Sequence, residues 1–163
     1  MRHYVLILFM VFLGTTFAAK PAIKWMDYNT ALERARKDTT FVLVEVYTDW
    51  CMPCKIMAKT TFLDTAVIRS WNESFLAVKL NAESDQLINC NNWPRPVSSC
   101  VMEDWGVEGV PSFVLIGPSG QIALKISQAH DAEVLLVLLQ EFRDNRSQLL
   151  ARDRVAKEAP LDP

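Results

Sequence analysis

Apolar and polar positions fall into blocks along this chain, and each block predicts an element. Trp25, Tyr28, Leu32 and Ala35 recur at helical spacing, so residues 25–37 read as an amphipathic helix capped by Asp27 or Asn29. Residues 38–40, Asp-Thr-Thr, break it. Phe41-Val-Leu-Val-Glu-Val-Tyr47 is β-branched, aromatic and almost wholly apolar, which suits a central strand buried on both faces. A helix is predicted from Cys51 to about Thr60, a short one capped by Asp64 through Trp71, and a second strand over residues 75–80. Residues 81–99 are rich in Asn, Ser and Pro and read as irregular, followed by a short helix over 100–105. Residues 112–116 and 121–126 alternate well enough for a hairpin across Gly117-Pro118-Ser119-Gly120. From Asp131 a last helix carries Val134, Leu135, Leu138, Leu139 and Phe142 on one face. Beyond Arg143 the chain becomes charged, and residues 159–163 are expected to fray.

Strands separated by helices imply parallel pairing, and the hairpin adds antiparallel edge strands. The expected fold class is therefore α/β: a mixed central sheet with helices on both faces. Of the 163 residues, 50% are hydrophobic, enough for one globular domain and no second one. The net charge of −2 gives no electrostatic case for a nucleic-acid partner. The N-terminus carries Arg2 and His3, an apolar run over residues 4–17, and small residues at Ala18 and Ala19. That is the pattern of a cleaved secretory signal over 1–19, since a spanning helix needs about 20 apolar residues. The expected organisation is a domain over 20–150 with an insert at 81–100, then a flexible charged tail over 151–163. Export implies an oxidising compartment, where the four cysteines can pair.

Cys51 and Cys54 stand three apart where a strand gives way to a helix, so both sulfurs fall in the first helical turn. Unpaired N–H groups and the partial positive charge there favour a thiolate on Cys51, which is expected to be the more exposed sulfur. Cys51 then attacks a disulfide and Cys54 resolves the mixed disulfide. Pro53 fits a first turn, where no N–H is needed. A zinc site would require a second closely spaced pair; Cys90 and Cys100 are ten apart, and beyond the leader His130 is the lone histidine, read as a surface residue. A purely structural bridge at 51–54 is the other alternative. No metal and no cofactor are implied.

Trp50-Cys51-Met52-Pro53-Cys54-Lys55 resembles the thioredoxin active-site motif, with Met52 where thioredoxins usually carry Gly. Gly109-Val110-Pro111-Ser112-Phe113 is similar to that family's cis-proline loop. Val44-Glu45-Val46-Tyr47-Thr48-Asp49-Trp50-Cys51, followed by Thr61-Phe62-Leu63-Asp64, resembles one branch in particular. That branch is the C-terminal periplasmic domain of the bacterial transmembrane thiol:disulfide interchange reductase, with its free-standing exported relatives. The resemblance covers about residues 25–142 and implies the thioredoxin fold, with a Cys-bracketed insert before the cis-proline loop.

The resemblance also implies roles. Glu45 stands where the family has a buried acid, usually Asp, that exchanges protons with the second cysteine; burial raises such a group toward that task. Pro111 would be cis and would leave the backbone of Val110 to pair with an extended substrate segment. Trp50, Met52 and Pro53 join Val110 as substrate-contacting residues, with simple packing the alternative for Trp50. Lys55 reads as a solvated helix residue. The family usually passes through this stretch without two cysteines; a structural disulfide between Cys90 and Cys100 tying off the insert is the first reading, with a second redox pair or free thiols the alternatives.

The function expected on these grounds is reduction of disulfides in periplasmic client proteins by a monomer, re-reduced by a membrane thiol:disulfide electron donor. Met52-Pro53 lacks the His of strongly oxidising members, which favours the reducing direction. An oxidase or isomerase is the alternative within the class. A non-catalytic module that recognises a partner through the Trp93 loop is the alternative outside it.

Overall fold

The computed structural model describes residues 20–158; the expected leader over 1–19 and residues 159–163 lie outside the described residues. Its centre is the apolar string foreseen as a strand, β2 (Phe41–Tyr47), in which every residue but Tyr47 is buried. β2 pairs in parallel with β3 (Phe75–Asn81), from Phe41 opposite Phe75 to Tyr47 opposite Asn81. On its other side it pairs antiparallel with β6 (Ser112–Ile116), which forms a hairpin with β7 (Ile122–Ile126). β1 (Trp25–Met26) adds a parallel edge beside β3, giving the order β1-β3-β2-β6-β7.

Side chains alternate across β2 and build two cores. Val42, Val44 and Val46 face α1 (Tyr28–Asp38), through Tyr28, Leu32 and Ala35. Phe41 and Leu43 face α2 (Met52–Lys59), α3 (Thr65–Ser74) and α5 (Ala132–Asp144), through Met57, Val67, Trp71, Leu135 and Leu139. Helices thus cover both faces of a mixed sheet.

Four local differences from the sequence reading have physical causes. α1 begins at Tyr28, capped by Asp27; Trp25 precedes it in β1, where two residues are too few to show a period. The insert holds an antiparallel ribbon, β4 (Leu87–Cys90) and β5 (Trp93–Pro96), turned by Asn91 and Asn92, both with positive φ. Two consecutive left-handed residues make the tight hairpin turn that Asn tolerates, and Pro94 and Pro96 fit a strand whose outer edge needs no donors. After α4 (Val97–Ser99) the chain widens into a π-type turn over Cys100–Asp104, where Trp105 N–H donates to Cys100 O at 2.9 Å. Residues 146–158, expected to belong largely to a charged tail, form helix α6 (Arg146–Glu158). Asp153, 8% exposed, docks α6 by accepting from Ser119 N–H at 3.0 Å and from the Ser119 hydroxyl.

Candidate active site

The chain leaves β2 at Tyr47, turns through residues 48–50 and enters α2 with Cys51 as its N-cap. Cys51 Sγ is bonded to Cys54 Sγ and accepts from Cys54 N–H at 3.1 Å. A sulfur at this cap sits among the unpaired N–H groups of the first turn, where negative charge is favoured. Pro53 occupies that turn without leaving a helical acceptor unserved. The expected difference in exposure is absent: Cys51 is 2% and Cys54 3% exposed in the bonded state. Any asymmetry in reactivity arises from position at the cap.

Beside this pair in the sequence two large apolar side chains are exposed to solvent. Trp50 is 67% and Met52 62% exposed. Trp50 is not free, because its Nε1–H donates to Glu83 Oε1 at 2.9 Å. The Val110–Pro111 peptide is cis, and Pro111 is buried at the entry to β6. Among the described residues no backbone hydrogen bond occupies Val110. Its side chain packs on the α1-side core. His130, read as a surface residue, is half-buried with its ring 6.0 Å from that of Phe113, and its carbonyl accepts from Thr61 Oγ1.

Glu45 is fully buried. It lies on the β2 face that carries Phe41 and Leu43, the face that α2 covers with Met57. Lys79 Nζ stands 3.1 Å from Glu45 Oε2 as an ion pair, off the axis of a well-formed hydrogen bond, so neither carboxylate oxygen has an aligned donor. Burial raises the Glu45 pKa above the ordinary carboxylate range, and the Lys79 charge only partly opposes this. Lys79 reaches the pair from the register position opposite Glu45, with its Nζ 4.4 Å from the Tyr47 ring centroid. Lys79 escaped the sequence reading, although a signal existed. FVLVEVY and FLAVKLN each carry one charge, at the same fifth position of paired parallel strands. Glu83 left no comparable signal.

Cys90 Sγ is bonded to Cys100 Sγ, with both residues buried. Asp104 Oδ2 lies 3.5 Å from Cys90 Sγ, and Arg95 pairs with Asp104 and Glu103 at 3.2 and 2.6 Å.

A family described as Thioredox_DsbH, protein of unknown function, DUF255, matches residues 14–91. The thiol:disulfide interchange protein DsbD of Pseudomonas fluorescens is 31% identical over 122 residues, which cover 74% of this chain and 19% of that protein. The chain thus spans about a fifth of the length of that curated relative. Among solved structures, a thioredoxin from Thermus thermophilus aligns with a TM-score of 0.63 at 18% identity, over 76% of this chain and 89% of that one. The reduced C-terminal domain of Neisseria meningitidis DsbD aligns with a TM-score of 0.51 at 20% identity, over 69% of this chain and 90% of that one. These structural likenesses show the fold.

Proposed function

Because the chain belongs to the thioredoxin-like family, near the DsbD proteins, we propose that it is a dithiol reductase of disulfides in periplasmic client proteins. The observation that carries this reading is the Cys51–Cys54 disulfide at the N-terminus of α2. A four-residue loop at a helix N-cap is a poor structural staple, since it closes little chain, but it suits exchange.

In the reducing direction, the Cys51 thiolate attacks one sulfur of a client disulfide. A Cys51–client disulfide forms, and the client's other sulfur leaves as a thiolate and takes a proton from solvent. The Cys54 thiol passes its proton to Glu45 and attacks Cys51 Sγ. This closes the 51–54 disulfide and expels the second client sulfur as a thiolate, which takes a proton from solvent. Two electrons have moved from the cysteine pair to the client. A dithiol donor, such as a membrane thiol:disulfide partner, returns them by the reverse exchange. Glu45 suits its step because burial holds its proton affinity up, while Lys79 keeps the ionised form accessible. Val110, with no backbone partner among the described residues, can pair with an extended client segment beside the sulfurs. Trp50 and Met52 supply apolar contact area.

The reducing direction follows from modest stabilisation of the Cys51 thiolate. Met52 carries no charge, and an ionised Glu45 would oppose the thiolate. Weak stabilisation makes the disulfide form the favoured one, and about 30 mV corresponds to only about 1.4 kcal/mol for this couple. The proposal extends to a cleaved leader over 1–19, a working domain over 20–150 acting as a monomer, and a periplasmic location. Trapping with Cys54→Ser tests it. The variant should accumulate Cys51-linked mixed disulfides with client proteins in the periplasm, and Cys51→Ser should not. Equal trapping by both variants, or by neither, would contradict the assignment.

A further inference from the structure

The insert bridge lies far from α2 along the sequence, yet the backbone it controls leads to Val110. The β4–β5 ribbon is fastened to α1 at two points: Asn89 N–H donates to Asn29 Oδ1 at 2.7 Å, and Arg36 donates to Asn92 Oδ1 at 3.1 Å. The Cys90–Cys100 bond carries that anchorage to the first residue of the π-type turn. From there Cys100 O accepts from Trp105 N–H at 2.9 Å, and Val101 O accepts from Val107 N–H at 3.0 Å. Three residues later comes Val110. Its side chain packs on the same cluster as Cys90, Cys100, Val101, Trp105 and Val107.

The other side of this loop is held by β7. Lys125 Nζ donates to Trp105 O and, at 3.1 Å, to Gly106 O. Gly106 has φ 58°, and a Cβ there would sit 3.3 Å from Lys125 Nζ, so the tight approach uses the missing side chain. Ser112 Oγ ties the far end to Gly109 O at 2.6 Å and to Ser127 Oγ at 2.8 Å. The loop is thus pinned from the insert, from β7 and at its exit, while Val110 in its middle keeps free backbone groups.

We infer that the Cys90–Cys100 disulfide, together with Lys125, is a positioning clamp that presents the Val110 backbone to client segments; this rests on the exchange function proposed above. Pairing with an extended segment needs hydrogen-bond geometry good to a fraction of an ångström. A disulfide without a peptide backbone makes no such pair, so the clamp governs peptide recognition and not sulfur chemistry. This separates it from a bridge that only stabilises the insert.

The test compares two substrates: cystamine, a small disulfide with no peptide backbone, and an extended peptide containing a disulfide. The double variant Cys90→Ala/Cys100→Ala removes the clamp from the insert side. Lys125→Met removes it from β7; Lys125 is exposed, so this variant tests the clamp even if the double variant does not fold. Each variant is expected to lose about ten- to a hundredfold in kcat/KM for the peptide, mostly through KM, on the scale of a small misplacement acting at a distance. Cystamine reduction should be unchanged. Equal losses on both substrates, or none on the peptide, would overturn the clamp while leaving the exchange function standing. A native protein inert toward cystamine would instead remove the exchange function, and the clamp with it.

Discussion

Glu45→Gln keeps the size and shape of a fully buried side chain while removing its titration. Burial lifts the folded-state pKa of Glu45 above its unfolded value, with Lys79 opposing in part. The folded state therefore holds a proton that the unfolded chain has already lost. Stability from this group is complete below the ordinary glutamate range and is lost as pH rises through the folded-state pKa. Within that window the native protein should lose up to about 1.4 kcal/mol per pH unit, and each kcal/mol corresponds to about 4 °C in Tm for a domain of this size. The Gln variant carries no such term, so across that window the Tm of the native protein should fall relative to that of the variant. In the proposed mechanism the same substitution removes the proton acceptor for Cys54, so mixed-disulfide resolution should slow about a hundredfold near neutral pH. Thermal unfolding of the oxidised protein from about pH 4 to pH 8 reads the first effect; stopped-flow reduction of a peptide disulfide reads the second. Parallel Tm curves for the two proteins would refute the burial argument. Equal resolution rates would refute the proton-transfer role.

Alkylation of the reduced protein at mildly acidic pH should label Cys51 before Cys54, because Cys51 caps α2. Preferential labelling of Cys54 in mass spectra would reverse their roles. Under mild reductant that opens 51–54, mass mapping should find 90–100 intact, since Cys90 and Cys100 lie in the α1-side core, away from the helix N-cap that favours a thiolate at Cys51; joint opening would instead favour a relay. A Cβ on Gly117 would overlap the Asp153 carboxylate, so Gly117→Ala should displace α6 and cost about 2 kcal/mol in a denaturant titration. An unchanged midpoint would count against that docking.

The legible parts of the fold were those in which one segment buries its own apolar pattern. β2 declared itself through a buried string, and α5 through Leu135 and Leu139. The Trp50–Lys55 motif located the cysteine cap, and an acid inside an apolar strand marked Glu45. What stayed hidden depends on partners distant in sequence. β1 is a strand only because β3 offers it an edge. α6 has little apolar periodicity: Leu149 and Leu150 pack on the core, and Asp153 docks the helix onto Ser119. Lys79 matters only once the register sets it opposite Glu45. Asn91-Asn92 could have signalled the tight β4–β5 turn, but Pro94 and Pro96 just after it argued for irregular chain.

The central claim is exchange through Cys51–Cys54 in the reducing direction, and its most direct test is the reduction potential of that pair. Equilibration of the whole protein against glutathione buffers, with mass mapping to follow 51–54 separately from 90–100, measures it. The account predicts a potential near the thioredoxin end of the range, about −270 mV. A value near about −120 mV, where dedicated periplasmic oxidants lie, would contradict it.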